Sequence, residues 1–207
     1  MNPSMEPITE GQIGKLNELL RARLLKISSQ FQKDPFQDVL EHQGEELVKE
    51  IVSVVIKRVE AVGNLIVRHV KINRNRTMQE VLDATGRAQY TESNVVKSAP
   101  VGDNKEEVDV VFFKIDLSGR NGYISDDDLE KEYDLRGLKP ADLVSVSAVN
   151  EADPSFADEK PHGTHWKNTN GKWCFAAFDR LGGERCVNVY QNDGGWGDGW
   201  WFAGVRK

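Results

Sequence analysis

Two long amphipathic helices are predicted in the first 63 residues, because large apolar side chains recur there at helical spacing. In the first helix, between residues 9 and 33, they are Ile13, Leu16, Leu19, Leu20, Leu24, Ile27 and Phe31. In the second, which follows Gly44, they are Leu47, Ile51, Val52, Val55, Val59 and Val62. Pro35 is expected to end the first helix and Gly63-Asn64 the second.

The apolar stripes of these helices need a partner surface. Packing within the molecule is the first expectation, and a helical contact with a second copy of the chain is the alternative. A role on a membrane surface is disfavoured, because the polar face is not especially basic.

Beyond the helices the pattern changes to short strands and helices. Residues 65–72 alternate and predict a strand, and Thr77 with Glu80 forms a capping box in front of a short helix. The polar, turn-rich stretch over 95–107 predicts a loop. Residues 108–115 are apolar almost throughout, which is typical of a strand covered on both faces.

The remainder predicts two more helices and then several strands. Ser125 caps a helix that ends at Gly137, and a second helix is expected from Pro140 through Val149. Turn signals at Asn170-Gly171 and Gly182-Gly183 separate short strands. The strands are THWKN, KWCFAAFDR, ERCVNVY and WWFAGVRK.

This order of elements predicts an α+β protein. We divide it into a helical amino-terminal region over residues 1–63, a connecting strand-helix-loop region over 64–104, and a domain over 105–207. The last domain is expected to have two helices and a mainly antiparallel sheet.

The composition limits the expected cellular location and the expected partners of the protein. The net charge of -6 and the pI near 5.3 argue against nucleic-acid binding, which needs a basic face. No stretch approaches the roughly 20 apolar residues of a membrane span, and the start lacks the features of a signal peptide. We therefore expect a soluble, cytoplasmic protein without a cofactor, and display on a cell or virion surface by another route stays open.

Two stretches suggest metal sites and fail on closer inspection. Asp116 to Leu129, DLSGRNGYISDDDL, has the glycine of a calcium loop, but the first ligand position falls on Leu117 and the last ligand is Asp128 in place of glutamate. A turn leading into a helix cap is expected there.

The cysteines and histidines of the last third could in principle form a zinc site, but no two-residue cysteine spacing exists. The four residues are His162, His165, Cys174 and Cys186. A disulfide between the cysteines is geometrically possible, and reduced thiols are the expectation. No catalytic motif is recognised, and no enzyme activity is expected.

The last stretch, ERCVNVYQNDGGWGDGWWFAGVRK, is the most informative. Its alternation with a period of two places Val187 and Val189 in the core and Cys186, Asn188 and Tyr190 on the outer face. Beyond this strand, glycines alternate with aspartate and tryptophan. Taken alone, the pattern predicts a glycine-rich turn between two strands with tryptophan packing.

The same stretch resembles the variable region of diversity-generating retroelement target proteins. In that family an error-prone reverse transcriptase rewrites adenines, typically in asparagine codons, so fixed framework residues alternate with variable ones. The residues reachable from an asparagine codon through its first two bases are Cys186, Asn188, Tyr190, Asn192, Gly194, Gly195, Gly197 and Gly199, with Asp179 as a further candidate. The framework would comprise Val187, Val189, Asp193, Trp196, Asp198 and the closing WWFAGVR.

This resemblance implies a C-type-lectin-like fold for residues 105–207, with the candidate variable region at 179–200. In that fold the terminal strand returns beside the first, which would place WWFAGVRK next to VDVVFFKI. The implied function is binding of an unknown protein or glycan on a diversified face, without catalysis. The amino-terminal helices have no counterpart in the resemblance.

Two other functions stay open. The chain could be an oligomeric structural or assembly protein, whose amino-terminal helices join copies and whose Trp-rich sheet is only packed core. The related formylglycine-generating type of lectin-like fold would instead imply oxidase chemistry at two cysteines, but Cys174 and Cys186 lack that family's surrounding motif.

Overall fold

A computed structural model describes residues 8–63 and 65–207 of the chain, without the side chains of Lys57 and residues 60–62. The chain divides into two compact units, one up to Val55 and the other Ile56–Lys207. This boundary lies inside the predicted helical region, and the predicted connecting region belongs to the second unit.

The structure is of mixed α+β class, with helices first and a mainly antiparallel sheet after them. The helices are α1 Glu10–Lys26, α2 Lys33–His42, α3 Gly44–Gly63, α4 Met78–Asp83, α5 Ser93–Ser98, α6 Asp126–Leu135, α7 Leu143–Ala152 and α8 Phe156–Glu159. The strands are β1 Ile66–Lys71, β2 Ala88–Thr91, β3 Glu107–Lys114, β4 Tyr123–Ile124, β5 Leu138–Pro140, β6 His162–Lys167, β7 Trp173–Leu181, β8 Glu184–Gln191, β9 Trp196–Gly197 and β10 Trp201–Arg206. Among the described residues, no helix is long and apolar enough to cross a membrane.

The first unit corrects one predicted helix end. α1 ends at Lys26, where the hydroxyl of Ser28 donates a hydrogen bond to the carbonyl of Leu25. Pro35 does not end this helix but lies in the first turn of α2. Proline is tolerated there, because the first N–H groups of a helix have no partner within it. The predicted second helix is confirmed as α3, and Asn64 of its predicted stop lies outside the described residues.

Helices α1 and α2 bury no residue. The expected packing of apolar stripes within the molecule is therefore not found for them. The large apolar side chains that are at least one-third exposed include Leu19, Leu20, Leu24, Leu25, Phe36 and Leu40, and on α3 Ile51, Val52 and Val54.

The second unit is built on one large sheet with the strand order β1-β3-β10-β6-β7-β8-β2. Most neighbours are antiparallel, while β10 with β6 and β2 with β8 are parallel. β5 pairs with β10, and β4 with β9 forms a separate small sheet. The closing strand β10 pairs antiparallel with β3, with Phe202 opposite Phe113, so the predicted return of WWFAGVRK beside VDVVFFKI is confirmed.

The sheet has a core on each face. Helices α4, α5, α7 and α8 contribute to one core, and α6 contributes to the other. Along β3, Val110 and Phe112 enter the first core while Val111 and Phe113 enter the second. The prediction that this strand is covered on both faces is confirmed.

Two predictions of local structure in this unit were wrong. The stretch over 95–107 is not all loop, because its beginning belongs to α5, where Val95 and Val96 are buried. The helix expected from Pro140 begins at Leu143, since Pro140 pairs with Gly204 in the sheet and Asp142 caps the helix.

The turn leading into the cap of α6 is confirmed. Gly122 has a φ of 74° there, and the side chain of Ser125 accepts a hydrogen bond from the N–H of Asp128 at 3.2 Å.

His162 makes the stability of this unit sensitive to acid. It is fully buried, its Nε2 lies 2.9 Å from the amide nitrogen of Asn150, and its Nδ1 lies 2.8 Å from the carbonyl of Lys160. The amide donates to Nε2, so Nδ1 carries the proton of a neutral ring. Burial lowers the pKa of His162 to about 4.

We expect the unit to lose about 3 kcal/mol of stability from this group as the pH falls from about 6.5 to about 4. The unfolded chain takes up the proton in that window and the folded chain does not. Urea unfolding followed by tryptophan fluorescence at several pH values measures the loss. His162→Phe should be less stable at neutral pH but lose less on acidification, whereas exposed His42→Gln should keep the wild-type profile. An unchanged acid loss in His162→Phe would contradict the assignment.

Candidate functional site

The hairpin of β7 and β8 presents two different faces. Phe178 and Val187 are opposite each other, and so are Ala176 and Val189, and all four are buried in the first core. The burial predicted for Val187 and Val189 is confirmed. The other face carries three opposite pairs, Phe175 with Tyr190, Ala177 with Asn188, and Asp179 with Cys186. This second face and the 192–199 loop that follows it contain the nine candidate positions, and we call them together the recognition face.

Cys186 does not look outward as predicted, because it is only 1% exposed. The Sγ of Cys186 lies 3.3 Å from Oδ1 of Asp179. β8 also pairs with β2, on the side away from β7, and Ala88 is the residue opposite Cys186 there. The alternation placed Cys186 on the same face as Asp179, as the structure has it, but did not show that the thiol is buried there. Burial, together with the charge of Asp179, raises the pKa of the thiol.

Asp179, Asn188 and Tyr190 are partly exposed. The amide nitrogen of Asn188 lies 3.5 Å from Oδ1 of Asp179, and the ring of Tyr190 lies 6.3 Å from that of Phe175. These side chains reach solvent on one sheet surface without being fixed by a deep core. They can therefore contact a ligand and be exchanged at little expense of stability.

Asn192 is held by a buried carboxylate that the sequence did not reveal. Asp126, the first residue of α6, is 3% exposed, and its Oδ2 accepts a 2.7 Å hydrogen bond from the amide of Asn192. Its Oδ1 accepts from Nε1 of Trp196 at 2.9 Å and lies 2.7 Å from Nδ1 of His165. The Asp126 carboxylate thus holds the loop after β8 against the core, and the side chain of Asn192 provides one of the hydrogen bonds that hold it.

His165 completes the anchor inside an aromatic stack. Its ring is parallel to that of Trp173 at 4.5 Å and stacks on Tyr133 at 5.6 Å. Burial by itself lowers the pKa of His165, but hydrogen bonds and charges from Asp126 and Glu130 outweigh it, so the pKa is raised. The stabilising charge pair is present below pH 6.5 and is lost as the pH rises through the folded pKa.

The four candidate glycines differ in the room around them. A Cβ on Gly197 would meet no atom within 4 Å, and one on Gly194 would only touch the side chain of Asn192. A Cβ on Gly195 would lie 2.4 Å from the carbonyl oxygen of Ile124. Gly199 has a φ of 103°, which other residues rarely adopt. Gly194 and Gly197 can therefore carry side chains, while Gly195 and Gly199 are constrained by the backbone.

The histidines and cysteines considered for zinc do not come together. His162 contacts Asn150, and His165 contacts Asp126 and Glu130. Cys174 and Cys186 are free thiols on opposite faces of the hairpin, and burial raises the pKa of both. Among the side chains that the structure describes, no group of three or more histidine, cysteine, aspartate or glutamate residues is placed to hold a metal ion.

Comparison with known proteins identifies no relative of the chain. No protein-family model matches the chain, and neither a curated protein nor a solved structure is significantly similar to it.

Proposed function

We propose that residues 105–207, within the compact unit Ile56–Lys207, form a ligand-recognition domain of the diversity-generating retroelement type, with an exchangeable face on a lectin-like scaffold. The domain would bind a protein or glycan and carry out no catalysis, in the cytoplasm or on a displayed surface. The observation that carries the proposal is the division of one short stretch into two sets. Val187, Val189 and Trp196 are buried, whereas their neighbours along the chain include the partly exposed Asn188 and Tyr190 and two glycines with room for a side chain, Gly194 and Gly197.

The topology supports the lectin-like scaffold. β10 returns to pair with β3, and the two ten-residue helices α6 and α7, followed by the short α8, lie between β3 and the later antiparallel strands. This is the order that the resemblance implies. A rigid sheet with its core on both faces is a suitable support for variable side chains, because surface substitutions usually change stability by no more than about 0.5 kcal/mol.

The packing narrows the set of residues that would contact a ligand. Asp179, Asn188, Tyr190, Gly194 and Gly197 have the exposure or the space for it. Cys186, Asn192, Gly195 and Gly199 are constrained by burial, by the Asp126 anchor or by the backbone. With glycine at two of the five open positions, this copy presents little side-chain area and is expected to bind weakly.

The flanking DNA tests the origin of the variability. We expect a near-copy of the 3′ coding segment that differs from it only opposite adenines, close to a reverse transcriptase gene. Absence of both from the surrounding sequence would contradict the retroelement proposal, whatever the fold of the domain.

A matched pair of glycine substitutions tests the exchangeable face itself. Gly197→Ser should change the free energy of unfolding by no more than about 0.5 kcal/mol, because the added atoms meet open space. Gly195→Ser should destabilise by about 1–3 kcal/mol, because its Cβ overlaps a backbone carbonyl. Urea unfolding of both proteins measures the difference, and a strongly destabilised Gly197→Ser would show that the face is packed and not exchangeable.

A second candidate function, assembly through the amino-terminal helices, is favoured by their exposed apolar side chains. Val52 is 48% exposed on α3, and Leu24 is 46% exposed on α1. In aqueous solution, apolar stripes of this size are normally buried against another surface. A second copy of the chain offers a matching stripe.

Sedimentation velocity tests this assembly directly. The full chain should sediment as an oligomer, and Val52→Asp should shift it toward the monomer. Ser53→Asp adds the same charge to the adjacent exposed residue and should leave the mass unchanged. A monomeric wild-type chain would reject the assembly function.

A further inference from the structure

Valines recur along α3 with a period of seven residues. They are Val48, Val52, Val55, Val59 and Val62, which follow one another at steps of four, three, four and three residues. This is the spacing of the a and d positions of a coiled-coil heptad, with Val52 and Val59 at a and the other three at d. We call these five residues the valine seam.

The members of the valine seam whose side chains the structure describes are not packed into a core. Val48 is 57% exposed and Val59 is 58% exposed, and none of the described members is buried. Glu46 and Glu50 lie on the opposite side of the helix, where heptad positions b and f face solvent. A second copy of the chain carries the same apolar stripe, and covering one stripe with another removes both from water.

The apolar surface extends beyond the valine seam on both of its sides. Ile51 lies at position g and is 36% exposed, and Ile56 lies at position e and is 49% exposed. In a coiled coil of two helices these positions lie at the edge of the contact and usually carry charged residues. Ile51 and Ile56 would stay largely in water in such a pair. A bundle of more than two helices covers a wider part of each helix.

The branching of the valine side chain indicates the number of copies. A β-branched residue at a with leucine at d favours two helices, whereas β-branched isoleucine at both positions shifts the preference to a higher number. Valine is branched at the same carbon as isoleucine, and it occupies every a and d position of the seam. Three copies that close a ring are related by a threefold axis, so their helices run parallel.

We propose that three copies of the chain associate through the valine seam as a parallel coiled coil. This inference rests on the assembly function given above as the second candidate, to which it adds the number of copies, their orientation and the residues in contact. Parallel helices end together, so the three chains continue from the same end of the bundle into three copies of the recognition face. Linked copies bind a repeated ligand more tightly than one copy does, which offsets the weak binding expected of a single face.

Sedimentation equilibrium of the full chain over a range of concentrations tests the number of copies. The mass should rise with concentration toward about three times the 23.3 kDa of one chain. A limiting mass of two or four chains would overturn the three-copy seam and leave the assembly function standing. A single-chain mass at all concentrations would overturn both.

Leucine at the d positions tests whether the valine seam sets this number. The double variant Val48→Leu with Val55→Leu keeps valine at a, and its limiting mass should fall from three chains to two. Val54→Leu makes the same change at a residue that is 59% exposed and outside the seam, and it should keep the three-chain mass. Far-ultraviolet circular dichroism checks that the helices are retained. A three-chain mass in the double variant would overturn the assignment of the seam.

Cross-linking tests the parallel orientation. Val48 lies at one end of the seam, so Val48→Cys places cysteines of different copies together in a parallel bundle. In an antiparallel arrangement about the centre of the seam they would be about 20 Å apart. A short bis-maleimide should therefore link copies of Val48→Cys but not of Glu50→Cys, whose cysteine faces away from the seam. Cys174 and Cys186 are buried and present in both variants. Absence of linked copies in Val48→Cys would contradict the parallel bundle.

Discussion

Asp126→Asn is expected to destabilise the second unit by at least about 3 kcal/mol. Asp126 accepts hydrogen bonds from Asn192 and Trp196 and pairs with buried His165. Asparagine has the shape of aspartate, but it has only one acceptor oxygen. Its NH₂ group would face the hydrogen-bond donors that the second carboxylate oxygen of Asp126 now accepts from. Urea unfolding at about pH 6 measures the loss, because the charge of His165 is present there. All 5 tryptophans lie in this unit, so their fluorescence reports its unfolding.

Asp127→Asn is the matched control for this substitution. Asp127 is the next residue of the same helix, its side chain is 74% exposed, and its polar partners among the described residues are Trp173 and the exposed Lys167. Its replacement should cost less than about 1 kcal/mol. If the two variants were equally stable, the three bonds to Asp126 would not anchor the loop.

Arg87→Lys is expected to destabilise the second unit by about 2 kcal/mol. Arg87 is 5% exposed, and its guanidinium donates to the carbonyls of Asp179 at 2.9 Å and Pro154 at 2.8 Å, with a longer bond to Cys186 at 3.5 Å. It thereby joins β7, β8 and the segment before α8. A lysine ammonium cannot reproduce this planar set of donors, so buried carbonyls lose their partners.

The same substitution at Arg185 is the control. Arg185, in β8, forms an ion pair with Asp158, but its side chain is 40% exposed. Arg185→Lys should change the free energy of unfolding by less than about 1 kcal/mol. Equal losses at the two positions would mean that Arg87 contributes only charge and not a fixed geometry.

Most of the fold could be predicted from the sequence where one local signal dominates. The alternation around Val187 and the apolar run of β3 identified strands, and Thr77 with Glu80 identified a capped helix. β2 was missed, because four residues of mixed polarity carry no usable period. Its pairing with β8 depends on Arg87 and on contacts far along the chain, which a local pattern does not contain.

The candidate site was predictable only in outline. Asp126 and Asp127 look alike in the sequence, both in the acidic first turn of a helix, yet one is buried and the other is exposed. Similarly, codon chemistry treats Gly195 and Gly197 as equivalent, and only the distance to a neighbouring carbonyl separates them. The alternation predicted which residues share a face of the sheet. The exposure of each of these residues depends on tertiary packing.

Gly195 also limits the repertoire that a rewriting mechanism could produce. Every additional codon open to change multiplies the number of encoded sequences. At Gly195, however, most products would place atoms against the Ile124 carbonyl and would lose stability. The usable diversity is then smaller than a count of mutable codons suggests, and a template that spares this codon would yield more folded proteins from the same number of trials.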